Sequence, residues 1–284
     1  MFKTITEING TINGIVWGIP MMVLILGVGI YLSIQCGFPQ FSHFIHIMKN
    51  ILGKAFEKTE KKEGAISPFK AMCTALAASI GTGNIAGVSG AIALGGPGAI
   101  FWMWVSALLG MCTKFAEVTL AVNYRERNQE GDWVGGPMYY ITNGLGKGWN
   151  WLATLFTILA ALAAFGIGNM TQINTIAGTV NTAIEGFIPT TETQQTIIAW
   201  GIAIICAIIC AIVLLGGIHR LADVCALLVP IMALIYISAS LVVIISNISA
   251  VPEALSAIFT GAFNPAAVSG GETVMSPVVG MTIP

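Results

Sequence analysis

A short polar sequence, Gly-Thr-Gly-Asn at residues 81–84, interrupts an otherwise apolar stretch that is long enough to cross a membrane. The stretch covers residues 68–94 and carries no charged side chain after Lys70. In hydrocarbon, irregular backbone is tolerated only where it faces protein or a cavity, because every N–H and C=O needs a hydrogen-bond partner. The interruption therefore predicts a broken membrane helix of the kind with which carriers hold solutes near the bilayer midplane.

The composition places the chain in the lipid bilayer. Of its 284 residues 56% are hydrophobic and only 9% are charged, whereas soluble domains carry about 25% charged residues. The net charge of −1 offers no basic surface that could neutralise phosphates, so nucleic acid is excluded as a partner. The six cysteines are scattered, mostly inside apolar segments, and Cys206 and Cys210, which share a helix face, have no His or acidic partner near them. This favours packing roles over a metal site or disulfides.

The hydropathy pattern predicts six membrane spans, each longer than the roughly 20 residues that a helix needs to cross the hydrocarbon. They cover residues 14–35, 68–94, 98–124, 151–180, 196–215 and 221–245. The loops between them alternate in charge. One set is rich in Lys and Arg, and the loops at 95–97 and 181–195 contain neither. The positive-inside rule then places the basic loops in the cytoplasm and the N-terminus outside.

The predicted break offers ligands for both signs of charge. The helix before it would end in free carbonyl groups, which favour a cation such as Na⁺, and the helix after it would begin with free N–H groups, which favour a carboxylate. Thr82 and Asn84 would add side-chain ligands. The alternative is that the glycines only allow close helix packing, since Gly83 and Gly87 form a small-xxx-small pair.

Two further groups of polar residues fall inside predicted spans. In the fourth span, Gln172 either faces a cavity and donates to a solute or bonds a neighbouring helix. Its polar neighbours are Asn169, Thr171, Asn174 and Thr175. In the third span, Lys114 and Glu117 lie one turn apart, so they are either functional or paired with each other.

The motifs of this chain closely resemble the alanine or glycine:cation symporter family, also called sodium:alanine symporters. The longest shared motif is Thr-Ala-Leu-Ala-Ala-Ser-Ile-Gly-Thr-Gly-Asn-Ile-Ala-Gly-Val at residues 74–88. Further shared motifs lie at 95–99, 115–117, 135–140 and 165–170, and Gln172 matches as well. The resemblance covers most of the chain.

The resemblance implies an all-α, polytopic bundle with a LeuT-like (APC) transporter fold, in which an extra N-terminal helix precedes two inverted five-helix repeats. Family members move alanine and glycine together with Na⁺ or sometimes H⁺. By resemblance, the residues that border the substrate are Gly81, Thr82, Gly83, Asn84 and Gln172. The cation ligands implied in the same way are Ala78, Ile80 and Thr82.

The resemblance also divides the chain. Residues 1–66 would form the N-terminal transmembrane helix and a cytoplasmic Lys-rich loop, residues 67–247 the first five-helix repeat, and residues 248–284 an interfacial helix and a truncated tail. The Ser-Asn-Glu-Ala-Gly motif of the family's second broken helix does not occur in this sequence. We therefore expect a chain truncated after the first inverted repeat, with a second repeat that another chain would have to supply.

The sequence thus predicts a multi-pass plasma-membrane symporter that uses Na⁺, or H⁺, as its coupling ion and has no other cofactor. Alanine, glycine and serine remain alternative substrates. The rival hypothesis is a truncated, non-transporting membrane fragment or scaffold. An intramembrane enzyme is not expected, because the sequence lacks His-Glu-x-x-His, Gly-x-Ser-x-Gly and paired intramembrane acids.

Overall fold

The computed structural model describes residues 2–16, 18–55, 66–129, 131, 133–164, 166 and 168–263. Residues 56–65 of the predicted Lys-rich loop and residues 264–284 of the predicted tail lie outside the described residues. The helices are α1 (Phe2–Val16), α2 (Ile19–Gln35), α3 (Pro39–Ser42), α4 (Phe44–Ala55), α5 (Pro68–Ser79), α6 (Ala86–Gly95), α7 (Gly98–Asn123), α8 (Pro137–Leu145), α9 (Asn150–Ala164), α10 (Met170–Glu185), α11 (Glu192–Leu214), α12 (Gly217–Ser246) and α13 (Val251–Ala262). A short antiparallel hairpin, β1 (Glu126–Arg127) and β2 (Trp133–Val134), joins α7 to α8.

The described residues form an all-α membrane protein. Four segments are long and apolar enough to cross a bilayer: Glu7–Gln35, Gly98–Asn123, Glu192–Leu214 and Gly217–Ser246. A fifth span results if the pair Pro68–Ser79 and Thr82–Ala93, bent by 64° at its break, is taken as one. This pair is the predicted broken helix.

The fourth predicted span, at residues 151–180, is wrong as a continuous helix. The structure divides it into α9, of 15 residues, and α10, of 16 residues. Each is shorter than the roughly 20 residues that a straight span requires. Gly166, Gly168 and Asn169 lie in the non-helical segment between them. The described residues therefore show a helix break in the fourth predicted span, which the hydropathy pattern did not predict.

The chain divides into two compact units. One comprises Met1–Ile47, Gly87–Ala161 and Pro252–Pro284, and the other comprises Met48–Ala86 and Leu162–Val251. The first break and the N-terminal part of α10 both belong to the second unit. The division into an N-terminal helix, a five-helix repeat and a tail remains a prediction.

In the second unit, the first half of the broken helix packs along α12. Helix α5 begins at Pro68, a residue whose fixed φ suits the first helical turn, and the Ser67 hydroxyl caps it by accepting from the Lys70 N–H at 3.4 Å. The Lys70 ammonium forms an ion pair with Asp223 of α12. This ion pair joins α5 to α12. Cys73 of α5 is buried.

Helices α10 and α11 pack against each other. Polar side chains form hydrogen bonds next to the loop that joins them. The Asn181 side chain donates from Nδ2 to the Gln195 carbonyl at 3.2 Å, and Gln195 Nε2 donates to Glu185 Oε1 at 2.7 Å. A capping box starts α11, because Thr191 accepts from the Gln194 N–H while Gln194 Oε1 accepts from the Thr191 N–H. These contacts hold the far end of α10, the helix that carries Gln172.

In the first unit, α2 packs against α7 through a glycine. A methyl group at Gly29 would lie 3.1 Å from the Leu109 Cβ, so the two backbones are as close as the absence of a side chain allows. Ser33 of α2 and Cys112 of α7 are fully buried in this unit. Small residues therefore set the helix separation here, as is typical of membrane helix pairs.

The last described helix, α13, packs on the start of α7. A side chain on Gly98 would meet the backbone of Gly261 at 2.4 Å. The Trp102 indole N–H donates to the Ala262 carbonyl at 3.2 Å, and the ring of Phe101 contacts Phe259 with 5.8 Å between centroids. The predicted helix after the sixth span is thus confirmed as a helix.

We expect Gly98→Ala to weaken the α7–α13 contact, because the added methyl group would collide with backbone that cannot rotate away. Overpacking of this kind costs about 1–3 kcal/mol. Gly110→Ala is the matched control: it lies in the same helix, and a methyl group there meets nothing within 4 Å. Thermal unfolding in detergent should show a lower midpoint for Gly98→Ala than for Gly110→Ala. Equal midpoints would contradict the packing described here.

Candidate functional site

The first break is a short non-helical segment with its own hydrogen bonds. Helix α5 ends at Ser79, and Ile80 and Gly81 are extended. A single 3₁₀ turn follows, in which the Asn84 N–H donates to the Gly81 carbonyl at 3.1 Å. Helix α6 then begins at Ala86. The chain therefore bends at the break, and the 3₁₀ turn still pairs some of its backbone N–H and C=O groups.

Some backbone groups at the break nevertheless remain available. Among the described residues, no donor reaches the carbonyls of Ala78 or Ile80, and no acceptor reaches the Gly83 N–H. The carbonyls belong to the negative end of the α5 dipole, and the N–H precedes the positive end of α6. The described backbone therefore has free carbonyls before the 3₁₀ turn and a free N–H within it, and their binding of a cation and an anion stays a prediction.

Asn84 holds the end of the first half-helix. Its Nδ2 donates to the carbonyl of Ser79, the last residue of α5, at 3.1 Å. This bond satisfies one of the carbonyls that a helix C-terminus leaves unpaired. Asn84 is exposed, and the acceptor that its side chain can still offer is Oδ1.

Gln172, near the start of α10, reaches across to the break. Its Oε1 lies 3.5 Å from the Thr82 N–H nitrogen and 3.4 Å from the Thr82 hydroxyl oxygen. A methyl group on Gly81 would lie 2.9 Å from Gln172 Nε2. The distances are at the outer limit for hydrogen bonds, so the Thr82 donors can exchange Gln172 for another acceptor at little cost.

The structure therefore places Gln172 against Gly81 and Thr82, and Gly83 and Asn84 follow Thr82 directly in the chain. Gly81, Thr82, Gly83 and Gln172 are half-buried, and Asn84 is exposed. Of the predicted cation ligands, the side chains of Ala78 and Ile80 are exposed, with Ile80 at 38%. The cluster is open on the described part of the chain rather than enclosed in a cavity.

The second break, which the sequence reasoning missed, resembles the first. Helix α9 ends at Ala164, and the Asn169 Nδ2 donates to the Ala164 carbonyl at 3.0 Å. The signal was present in the sequence, because residues 166–169 read Gly-Ile-Gly-Asn and residues 81–84 read Gly-Thr-Gly-Asn. The sequence around residues 166–169 is hydrophobic on both sides, so the hydropathy pattern predicted one continuous span there.

The pair in the third span is a local ion pair. Lys114 Nζ lies 3.0 Å from Glu117 Oε2 on the same face of α7. The pKa of the Tyr140 phenol, in α8, is raised by burial and further by the negative charge of Glu117. Of the two alternatives for these residues, the geometry favours mutual pairing.

A sequence model described as the sodium:alanine symporter family matches residues 2–282. The chain belongs to the sodium:alanine symporter family. The resemblance drawn from the motifs is thereby confirmed, and so is the expected class, a family of transporters rather than of enzymes.

Individual relatives agree with this assignment. An uncharacterised transporter of Haemophilus influenzae is 44% identical over 281 residues, covering 99% of this chain and 57% of the relative. The sodium/alanine symporter AgcS of Methanococcus maripaludis is 46% identical over 261 residues, covering 89% and 54%. The amino-acid carrier protein AlsT of Bacillus subtilis is 40% identical over 251 residues, covering 88% and 50%. The chain spans about half the length of these relatives.

We expect Gly81→Ala to displace Gln172 from the break, since the methyl group would lie within 3.0 Å of the amide nitrogen. Thr82 would then lose an acceptor for its N–H, and its amide should exchange with deuterium faster, by up to the roughly fivefold factor for one net hydrogen bond. Hydrogen-exchange mass spectrometry of peptides covering residues 80–85 measures this directly.

The matched control for Gly81→Ala is Gly178→Ala in α10, where a methyl group meets nothing within 4 Å. It should leave exchange at residues 80–85 unchanged. An unchanged rate in Gly81→Ala as well would show that Gln172 does not rest on the break.

Proposed function

We propose that this chain forms one half of a Na⁺-coupled symporter that moves small neutral amino acids, alanine or glycine, by alternating access. The single observation that carries the proposal is the broken helix α5–α6. Among the residues that the structure describes, this break has free carbonyls before its 3₁₀ turn and a free N–H within the turn, and the Gln172 amide faces Thr82. The chain belongs to a family of symporters. Such a site has ligands for both a cation and a zwitterion.

The substrate carboxylate would bind at the positive side of the break. Thr82 already directs its N–H and its hydroxyl at one acceptor oxygen, the Oε1 of Gln172. A carboxylate oxygen fulfils the same requirement and carries a charge, which makes its hydrogen bonds stronger than those of the amide. Gln172 Nε2 and the Gly83 N–H would supply further donors. The Asn84 Oδ1 offers an acceptor for the substrate ammonium group.

The coupling ion would bind at the negative side. Hard cations such as Na⁺ prefer oxygen ligands, and the carbonyls of Ala78 and Ile80 together with the Thr82 hydroxyl provide three. The α5 dipole adds a partial negative charge at this end. Thr82 is thus shared between the two ligands, so the ion would order the residue that also binds the carboxylate.

Shared ordering explains coupling. If Na⁺ fixes Thr82 and thereby raises the affinity for alanine, alanine must raise the affinity for Na⁺ by the same factor. Neither ligand alone would order the break fully. This is the energetic condition for symport rather than for leakage of the ion.

Because the chain spans about half the length of its relatives, the remaining walls of the site would come from a second half. The resemblance implies a LeuT-like arrangement in which two inverted repeats enclose the site, and alternating access then follows from movement of one against the other. We further propose a plasma-membrane location with the N-terminus outside, in accord with the charge of the loops.

The test is uptake of radiolabelled alanine into proteoliposomes that contain this chain, with and without an inward Na⁺ gradient. AgcS of Methanococcus maripaludis, reconstituted in the same way, serves as the positive control. If two copies of this chain pair to enclose the site, Na⁺-driven accumulation should exceed that of empty liposomes. Replacement of Na⁺ by K⁺ at the same ionic strength should abolish it, and a pH gradient without Na⁺ tests H⁺ coupling.

Absence of uptake by this chain, with AgcS active, would contradict the proposal for the isolated chain. It would favour the rival function, a non-transporting membrane fragment or scaffold. Alanine uptake that ignores the ion gradient would contradict the coupling mechanism alone.

A further inference from the structure

The two helix breaks share one design. In each, a Gly-x-Gly-Asn sequence follows the helix, and the Asn side chain donates to the carbonyl five residues earlier. That carbonyl belongs in both cases to the last residue of the helix, Ser79 of α5 and Ala164 of α9. The Nδ2–O distances agree, at 3.1 Å and 3.0 Å.

The second break determines where α10 begins. The Asn169 carbonyl accepts from the Ile173 N–H at 3.0 Å, and the Gly166 carbonyl accepts from the Met170 N–H at 3.0 Å. Asn169 therefore bonds backwards to α9 through its side chain and forwards into α10 through its backbone. Gln172 follows three residues later, in the first turn of α10.

Residues in the first turn of a helix move with the helix start. If the Asn169 side chain released Ala164, the start of α10 would be free to shift, and Gln172 would shift with it. The contacts of Gln172 with Thr82, at 3.4–3.5 Å, have little margin, because they already exceed the usual hydrogen-bond distances.

We propose that Asn169 is a positioning residue for the solute site. Its bond to Ala164 closes the second break and fixes α10 so that Gln172 reaches Thr82 at the first break. The two Gly-x-Gly-Asn sequences thus act on the same site. Asn84 shapes the first break, where the solute would bind, and Asn169 positions Gln172, which faces that break. The consequence for transport rests on the proposed function, whereas the placement of Gln172 does not.

A purely local role for Asn169 makes a different prediction. A cap that only stabilises the end of α9 would, when removed, loosen residues near 164–170 and leave the first break unchanged. A positioning residue would loosen residues 80–85 as well, although they are remote in sequence. Hydrogen exchange at the first break therefore separates the two roles.

The experiment compares Asn169→Asp with the unsubstituted chain by hydrogen-exchange mass spectrometry in detergent. Aspartate keeps the shape of asparagine but, ionised, has no proton to donate to Ala164. We expect exchange of the Thr82 amide, followed in peptides covering residues 80–85, to accelerate by up to about fivefold, the factor for one net hydrogen bond. Asn169→Leu, which removes the donor without adding a charge, should have the same effect and replaces Asn169→Asp if that variant does not fold.

Asn174→Asp and Asn174→Leu are the matched controls, because Asn174 is an exposed residue of the same helix. They should leave exchange at residues 80–85 unchanged. Asn169→Gln, which keeps an N–H donor, should restore part of the protection. Acceleration confined to residues 160–172 in the Asn169 variants would overturn the proposal, and so would equal acceleration in the Asn174 controls.

Hydrogen exchange can be measured whether or not the chain transports alanine, so its result is independent of the uptake test of the proposed function. If the chain does transport alanine, Asn169→Asp should raise the KM for alanine severalfold with a smaller change in maximal rate, because it affects the placement of a binding group. A loss of maximal rate at unchanged KM would contradict a role through Gln172.

Discussion

One constraint governs this structure: backbone N–H and C=O groups in a membrane need hydrogen-bond partners. A helix that breaks in hydrocarbon leaves carbonyls at one end and N–H groups at the other, and lipid cannot satisfy them. This chain satisfies some with its own side chains, as Asn84 does for Ser79. Others, such as the Ile80 carbonyl and the Gly83 N–H, have no partner among the described residues. The division between the two sets defines the proposed site.

The same constraint explains why the side chains that pair backbone groups at the breaks are amides. Asparagine can reach back over one turn to a helix carbonyl, and glutamine, one methylene longer, can reach from a neighbouring helix to the Thr82 donors. The glycines serve a steric purpose, since a methyl group at Gly81 would touch Gln172. Elsewhere, small residues at Gly29 and Gly98 allow helices to meet backbone to backbone, which is how membrane helices gain packing energy without a hydrophobic driving force.

Much of this could be predicted from the sequence. The break at residues 81–84 and the helix after the sixth span were both predicted from the sequence, and both are present. The second break was missed because a hydropathy window averages over Gly166 and Gly168, although the pattern of the first break recurs there. The ion pair between Lys70 and Asp223 could not be predicted, because it depends on which helices pack together.

The contact between Thr82 and Gln172 is the central claim, and thiol cross-linking tests it most directly. In a background with its native cysteines replaced, Thr82→Cys is combined with Gln172→Cys, and a protease site is inserted near residue 130. A short bifunctional thiol reagent should keep the two fragments joined after cleavage. The control pair, Thr82→Cys with Thr179→Cys two turns further along α10, should let them separate. Fragments that separate in both pairs, or stay joined in both, would contradict the site described here.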